Sequence, residues 1–71
     1  MAKLPITNSV REFREQLDMT QGELGDKVNV TRQTIAAIEQ RRYSPSLEVA
    51  FRIAHEFNQP LETVFQYVPE T

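Results

Sequence analysis

The fold class this sequence predicts is all-α: a small domain of five short helices. Three observations predict it. Apolar residues recur at three- and four-residue spacing in five separate segments. Residues that cap or start helices stand before these segments. The connections between them run to two to five residues, normal for a compact helical domain.

Thr7, Asn8 and Ser9 offer an N-cap to the first segment, where Val10, Phe13 and Leu17 make one stripe. Thr20 caps the second, and Glu23 three residues later completes a capping box; Leu24 and Val28 are its apolar face. Thr31 caps the third, with Ile35 and Ile38 turned inward. Ser46 follows the breaker YSP and opens the fourth, which carries Leu47, Val49, Ala50, Phe51, Ile53, Ala54 and Phe57. That stripe is wide, so this helix is expected to be the most buried, with Asn58 as its stop. Pro60 suits the first turn of a fifth helix bearing Leu61, Val64, Phe65 and Val68 on one side. Only the ends, KLPI and QYVPE, read as short extended pieces.

With 71 residues the chain reads as one domain, 1–71. A chain of this size buries only about 60% of its unfolded surface, so marginal stability is expected unless packing is good or a partner helps. It has no cysteine, hence no disulfide and no thiolate metal site. The lack of staples and the many charges fit an intracellular protein, and the longest apolar run, Ile35–Ile38, leaves no expected membrane span or signal peptide. The single His55 has no Asp–Ser grouping near it, and both glycines fall in the second helix, so no phosphate-cradling loop exists. No catalytic residue, cofactor or metal is therefore expected. Net charge is −2, but it is unevenly spread. Residues 1–19 balance, residues 20–43 carry +1, and residues 44–71 carry −3. A basic middle and an acidic end can orient a protein on a polyanion.

At 100° per residue, two charges land inside apolar stripes. Arg14 lies four residues after Val10, and Glu39 four after Ile35. A lone charge facing a core is expensive, whereas opposite charges on packed helices compensate each other. The pattern predicts an Arg14–Glu39 ion pair joining the first and third helices. The other reading lets each end snorkel separately to water.

The same wheel sets Gln33, Ala36, Ala37 and Gln40 opposite the buried isoleucines, with Arg32 at the helix start and Thr34 and Arg41 on the flank. A face that is small, amide-bearing and free of carboxylates allows close approach. Amides and guanidinium groups are also the side chains that pair with base edges. The bland alternative is an ordinary polar face.

The stretch GDKVNVT, residues 25–31, runs from the second helix through the turn to the cap of the third, and its glycine interrupts a helix at a cost of about 1 kcal/mol relative to alanine. Two helices separated only by Asn29 to Thr31, sharing Leu24, Val28, Val30, Ile35 and Ile38 as interior, form a helix-turn-helix. The run TQGELGDKVNVTRQTIAAIEQ, residues 20–40, resembles the DNA-binding unit of the Cro/CI-type (XRE) repressor family. The matching features are the helix-starting Gln21, the small Gly25, Val28, the turn at Asn29, Val30, and Thr34, Ile35, Ile38 and Glu39. The resemblance covers most of the chain: Arg14 and Glu39 match a buried pair of that family, and SPSLEVAFRIAHEFNQPLETVF resembles its fourth and fifth helices. The chain ends look most like small stand-alone dimeric regulators. Asn29 and Arg41 depart from the family pattern, since glycine is more usual at both places; Arg41 is expected to extend the third helix by a turn.

The resemblance implies a five-helix lambda-repressor-like domain whose third helix enters the major groove while the second crosses the backbone. It makes Arg32, Gln33, Ala36 and Ala37 the expected base contacts. Gln21, Thr31, Thr34, Gln40, Arg41, Arg42 and Tyr43 are the expected phosphate contacts. It implies a homodimer on a near-palindromic double-stranded operator, and a cytoplasmic regulator that sits on the nucleoid when bound. Leu61, Val64, Phe65, Tyr67 and Val68, with Leu4 and Ile6, are the expected dimer contact, although Leu61 and Phe65 also suit the core. Gly25 then provides clearance where the two helices cross, and Asn29 supplies a positive φ. No small-molecule domain is expected, so a signal would come through another protein, self-association or expression level. The alternative is a protein-interaction module, an antitoxin or co-regulator, on the same fold.

Overall fold

The structure is a computed structural model and describes residues 4–69. Lys3 and Glu70, at the outer edges of the two segments expected to be extended, lie outside the described residues. The order of elements is β1 (Ile6–Asn8), α1 (Val10–Gln16), α2 (Gln21–Val28), α3 (Arg32–Glu39), α4 (Leu47–Glu56), α5 (Leu61–Val64) and β2 (Phe65–Tyr67). The two strands pair antiparallel with Ile6 opposite Tyr67 and Asn8 opposite Phe65, which brings the chain ends together.

Caps explain most helix starts. The Thr20 hydroxyl accepts from the Glu23 N–H while the Glu23 carboxylate accepts from the Thr20 N–H, a complete capping box. Thr31 and Ser46 accept in the same way from Thr34 and Val49. At α1 the task falls to Asn8, whose Oδ1 accepts from the Val10 N–H at 3.1 Å. The core consists of Val10, Leu24, Val28, Ile35, Ile38, Ala50, Ile53, Ala54, Phe57 and Val64. Phe13 stacks on Phe57 with ring centroids 5.6 Å apart, tying α1 to α4.

Several expectations need correction. Leu17 is exposed because α1 ends at Gln16 and Asp18 takes a left-handed φ of 53°, so the helical stripe does not reach it. Leu47 and Phe51 are exposed although they sit on the wide stripe of α4. The core takes the arc of Ala50, Ile53, Ala54 and Phe57, and the adjacent edge stays open. The fifth helix is a single turn: Phe65 is already extended, with φ −124° and ψ 136°, and the chain continues as β2. Val64 is fully buried in its own chain and drops out of the expected dimer contact. Arg41 does not extend α3, which ends at Glu39; it takes a left-handed φ of 61° instead.

Candidate nucleic-acid interface

The candidate site is the outer face of α3, held by what lies beneath it. At its start, the turn lies so close to α2 that a Cβ on Gly25 would sit 2.7 Å from the Val30 carbonyl oxygen and 3.2 Å from the Thr31 carbonyl carbon. Those are backbone atoms of the turn, so they yield little. Asn29 follows at φ 66°, the left-handed conformation that asparagine tolerates. The Val30 N–H donates to the Gly25 carbonyl at 2.9 Å and closes the turn. Clearance is therefore needed against the turn's own backbone, immediately before α3, rather than against a side chain of α3.

Beneath its last turn lies the expected ion pair. Arg14 Nε donates to Glu39 Oε2 at 2.8 Å and Nη2 to Oε1 at 3.3 Å, a two-pronged pair with side chains only 12% and 7% exposed. Arg14 Nη1 donates to the Met19 carbonyl at 2.9 Å. Hydrogen bonding to Glu39 raises the Arg14 pKa above the ordinary arginine value, and the pull of Glu39 outweighs the cost of burial. Gln21 joins the group: its Nε2 donates to Glu39 Oε1 at 3.0 Å. The side chain expected at phosphate is thus already bound inward, and only its second amide N–H is left for a phosphate. Glu39 accepts from two helices at once and fixes α3 on both α1 and α2.

On the face itself Arg32 and Gln33 are exposed, Ala36 and Ala37 are half-buried, and Gln40, Arg42 and Tyr43 are exposed. The structure brings the expected base-contacting residues onto one side of α3. Thr31 Oγ1 accepts from the Thr34 N–H at 3.1 Å and lies 3.0 Å from Thr34 Oγ1. Of the two expected phosphate-contacting hydroxyls, one proton is used between them and one remains free. Arg41 does not point with its neighbours: its Nη2 donates to the Leu4 carbonyl at 2.6 Å. The face also depends on Asn8, which residue patterning offered only as a cap for α1. Its Nδ2 donates to the Ile38 carbonyl at 2.9 Å, capping the end of α3 while its Oδ1 caps α1. An asparagine just before a helix signals the cap but not the second bond.

Of the residues expected at a dimer contact, Tyr67 and Val68 are exposed, and Leu61 and Phe65 are half-buried against the core. Ile6, Pro45, Leu47, Ala50, Leu61 and Phe65 line one shallow apolar groove. Leu47 extends the expected surface onto α4, and Phe51 stands one turn beyond it. Among the described residues no group of acidic or histidine side chains is arranged to hold a metal, and no helix is long and apolar enough to cross a membrane.

Comparison with known proteins agrees with this geometry. A family model described as helix-turn-helix matches residues 10–64. The chain is 51% identical over 57 residues to an uncharacterized HTH-type transcriptional regulator of Methanothermobacter thermautotrophicus, covering 79% of this chain and 83% of that one. It is 47% identical over 60 residues to the uncharacterized HTH-type transcriptional regulator YgzD of Bacillus subtilis, covering 84% and 91%. Among solved structures, the transcriptional regulator VanUg superposes with a TM-score of 0.73 over 99% of this chain and 93% of its own, at 22% identity, a likeness of fold alone.

Proposed function

This chain belongs to the XRE-type helix-turn-helix family of transcriptional regulators, which bind DNA, and from that premise we propose that it is a repressor that binds a near-palindromic operator as a homodimer. The observation that carries the reading is the outer face of α3. Arg32 and Gln33 stand exposed at its start, followed by the small Ala36 and Ala37 with no carboxylate among them. In the major groove, Arg32 bonds guanine O6 and N7 and Gln33 bonds adenine N6 and N7. Ala36 and Ala37 give clearance or meet a thymine methyl. Arg42, Gln40, Tyr43, the free Thr31/Thr34 hydroxyl proton and the remaining Gln21 amide proton meet phosphates and set the register.

One copy offers a small interface and modest positive charge. Two copies related by a two-fold axis present two recognition helices to half-sites about 34 Å apart. The exposed Leu47, Phe51, Tyr67 and Val68, next to the half-buried Leu61 and Phe65, supply the apolar surface for that pairing. Selection of duplexes from a random pool, with sedimentation of the free protein, tests the reading. The expected result is a two-fold symmetric consensus bound by a dimer, with steeply salt-dependent affinity. No binding to any duplex at low salt would leave the fold serving as a protein-interaction module, and winners with a single half-site would remove the dimer.

A further inference from the structure

Among the described residues, four that are not glycine adopt the left-handed conformation: Asp18, Asn29, Arg41 and Asn58. Three are Asp or Asn, whose short polar side chains suit it. Arg41 has no such local compensation. It occupies the place where glycine ordinarily closes a helix: its N–H donates to the Ile38 carbonyl at 3.0 Å, and the Arg42 N–H donates to the Ala37 carbonyl at 2.9 Å. A strained residue persists where the surroundings hold it for another reason.

That reason is its side chain. Arg41 Nη2 donates to the Leu4 carbonyl at 2.6 Å, while the Leu4 N–H donates to the Arg41 carbonyl at 3.3 Å. Its Nε is buried without a partner among the described residues, so the guanidinium is seated inward and not spread over the surface. Four residues along the same segment, Asn8 donates to the Ile38 carbonyl. Segment 4–8 therefore grips the closing turn of α3 at two points, and its strand β1 is paired to β2.

We propose that Arg41, with Asn8, is a positioning residue for DNA recognition: it ties the end of the recognition helix to the terminal sheet and is not a phosphate ligand. The proposal rests on the DNA-binding reading. The Nη2 bond draws the guanidinium toward the terminal segment, so Arg41 can present its whole fork to a phosphate only by releasing Leu4.

Arg41→Gly is the decisive variant, because glycine relieves the left-handed backbone and so offsets part of the stability lost with the tie. Binding is measured on the selected operator and on random duplex across a salt series, with Arg42→Ala as the phosphate-contact reference and circular dichroism confirming that every variant is folded. Arg41→Gly is expected to lose operator affinity on the order of tenfold, the usual size of a coupling between a positioning contact and a binding face. Its salt slope should match the parent's, and its preference for operator over random duplex should fall. Asn8→Ala should act in the same direction, and the double variant should lose less than the two losses combined. A salt slope reduced by about 0.9 in Arg41→Gly makes Arg41 a phosphate ligand and overturns the proposal. Unchanged operator affinity overturns it as well. If the parent binds no duplex, the DNA reading itself fails. The tie is then judged on the free protein by amide exchange at Gln40 and Arg42 in Arg41→Ala: faster exchange with core amides unchanged upholds it, and unchanged exchange refutes it.

Discussion

Replacing Glu39 with alanine tests the support beneath the recognition helix. Glu39 accepts three side-chain hydrogen bonds, two from Arg14 and one from Gln21, and its carboxylate is almost completely buried. The substitution leaves the Arg14 guanidinium with one of its bonds, to the Met19 carbonyl, and only the weaker pull of Glu15 in place of its partner. Breaking a buried pair from one side costs about 3–5 kcal/mol. Arg14 retains slight exposure through which water can enter, so the lower end, about 3 kcal/mol, applies here. A domain of this length has about 4–11 kcal/mol in all at 0.05–0.15 per residue. At about 4–8 °C per kcal/mol the melting temperature should fall by about 12–24 °C. Thermal and urea unfolding followed by circular dichroism measure it. The raised Arg14 pKa means its contribution is fully present below the unfolded arginine value and is lost only in strong alkali, so the gap should hold across the neutral range. The double variant Arg14→Met/Glu39→Leu carries no stranded charge and should recover much of the loss. A Glu39→Ala protein that melts within about 3 °C of the parent refutes the reasoning. So does a double variant as unstable as the single one.

The other expectations concern the face and the turn. Gly25→Ala gains about 1 kcal/mol of helix propensity but drives a Cβ into turn backbone, where overpacking costs about 1–3 kcal/mol, so it should be destabilised and should lose DNA affinity. Gly25→Val should be worse on both counts; an alanine variant more stable than the parent with full affinity contradicts this. Arg32→Ala and Gln33→Ala should each cost about 1–3 kcal/mol of operator binding and relax one base preference, seen by repeating the selection. A full-strength complex from the double alanine variant removes them from the base-reading set. Arg42→Ala should weaken all duplexes alike and lower the salt slope by about 0.9, measured by titration from low to physiological salt.

What the chain disclosed in advance was local chemistry. The Thr20–Glu23 box, the caps at Thr31 and Ser46 and the left-handed Asn29 each depend on residues within three positions of one another. The Arg14–Glu39 pair was also legible, because each charge broke the periodicity of its own helix. What stayed hidden depended on where helices end and what lies across the fold. Leu17 and Val68 fit a helical wheel only if the wheel continues, yet α1 stops at Gln16 and α5 after one turn. The width of the α4 stripe shows that Leu47 and Phe51 are apolar, but not that the core would use only its other edge. The pairing of Ile6 with Tyr67 joins the two ends of the chain, beyond any local pattern. Arg41 is the sharpest case. Its charge and its place beside Arg42 read as a phosphate contact and give no sign of the left-handed backbone or of the bond to the Leu4 carbonyl.

The residues that look like faults share one consequence. Gly25 weakens a helix, Arg14 and Glu39 bring charge toward a core, and Arg41 strains a backbone. Each acts on α3 at a different point. Gly25 with Asn29 sets where α3 begins; Glu39 holds its last turn to α1 and α2; Asn8 and Arg41 fasten its end to the terminal sheet. Apolar packing through Ile35 and Ile38 is strong but tolerant of rotation, because hydrophobic contact is non-directional. A helix whose side chains must meet base edges needs its position held to about 0.5 Å, which directional bonds supply. Buried ion pairs contribute little net stability compared with apolar replacements, so stability alone does not explain their presence here. We infer that they serve orientation: polar restraints at the start, underside and end of α3 hold the outer face on which Arg32 and Gln33 stand exposed.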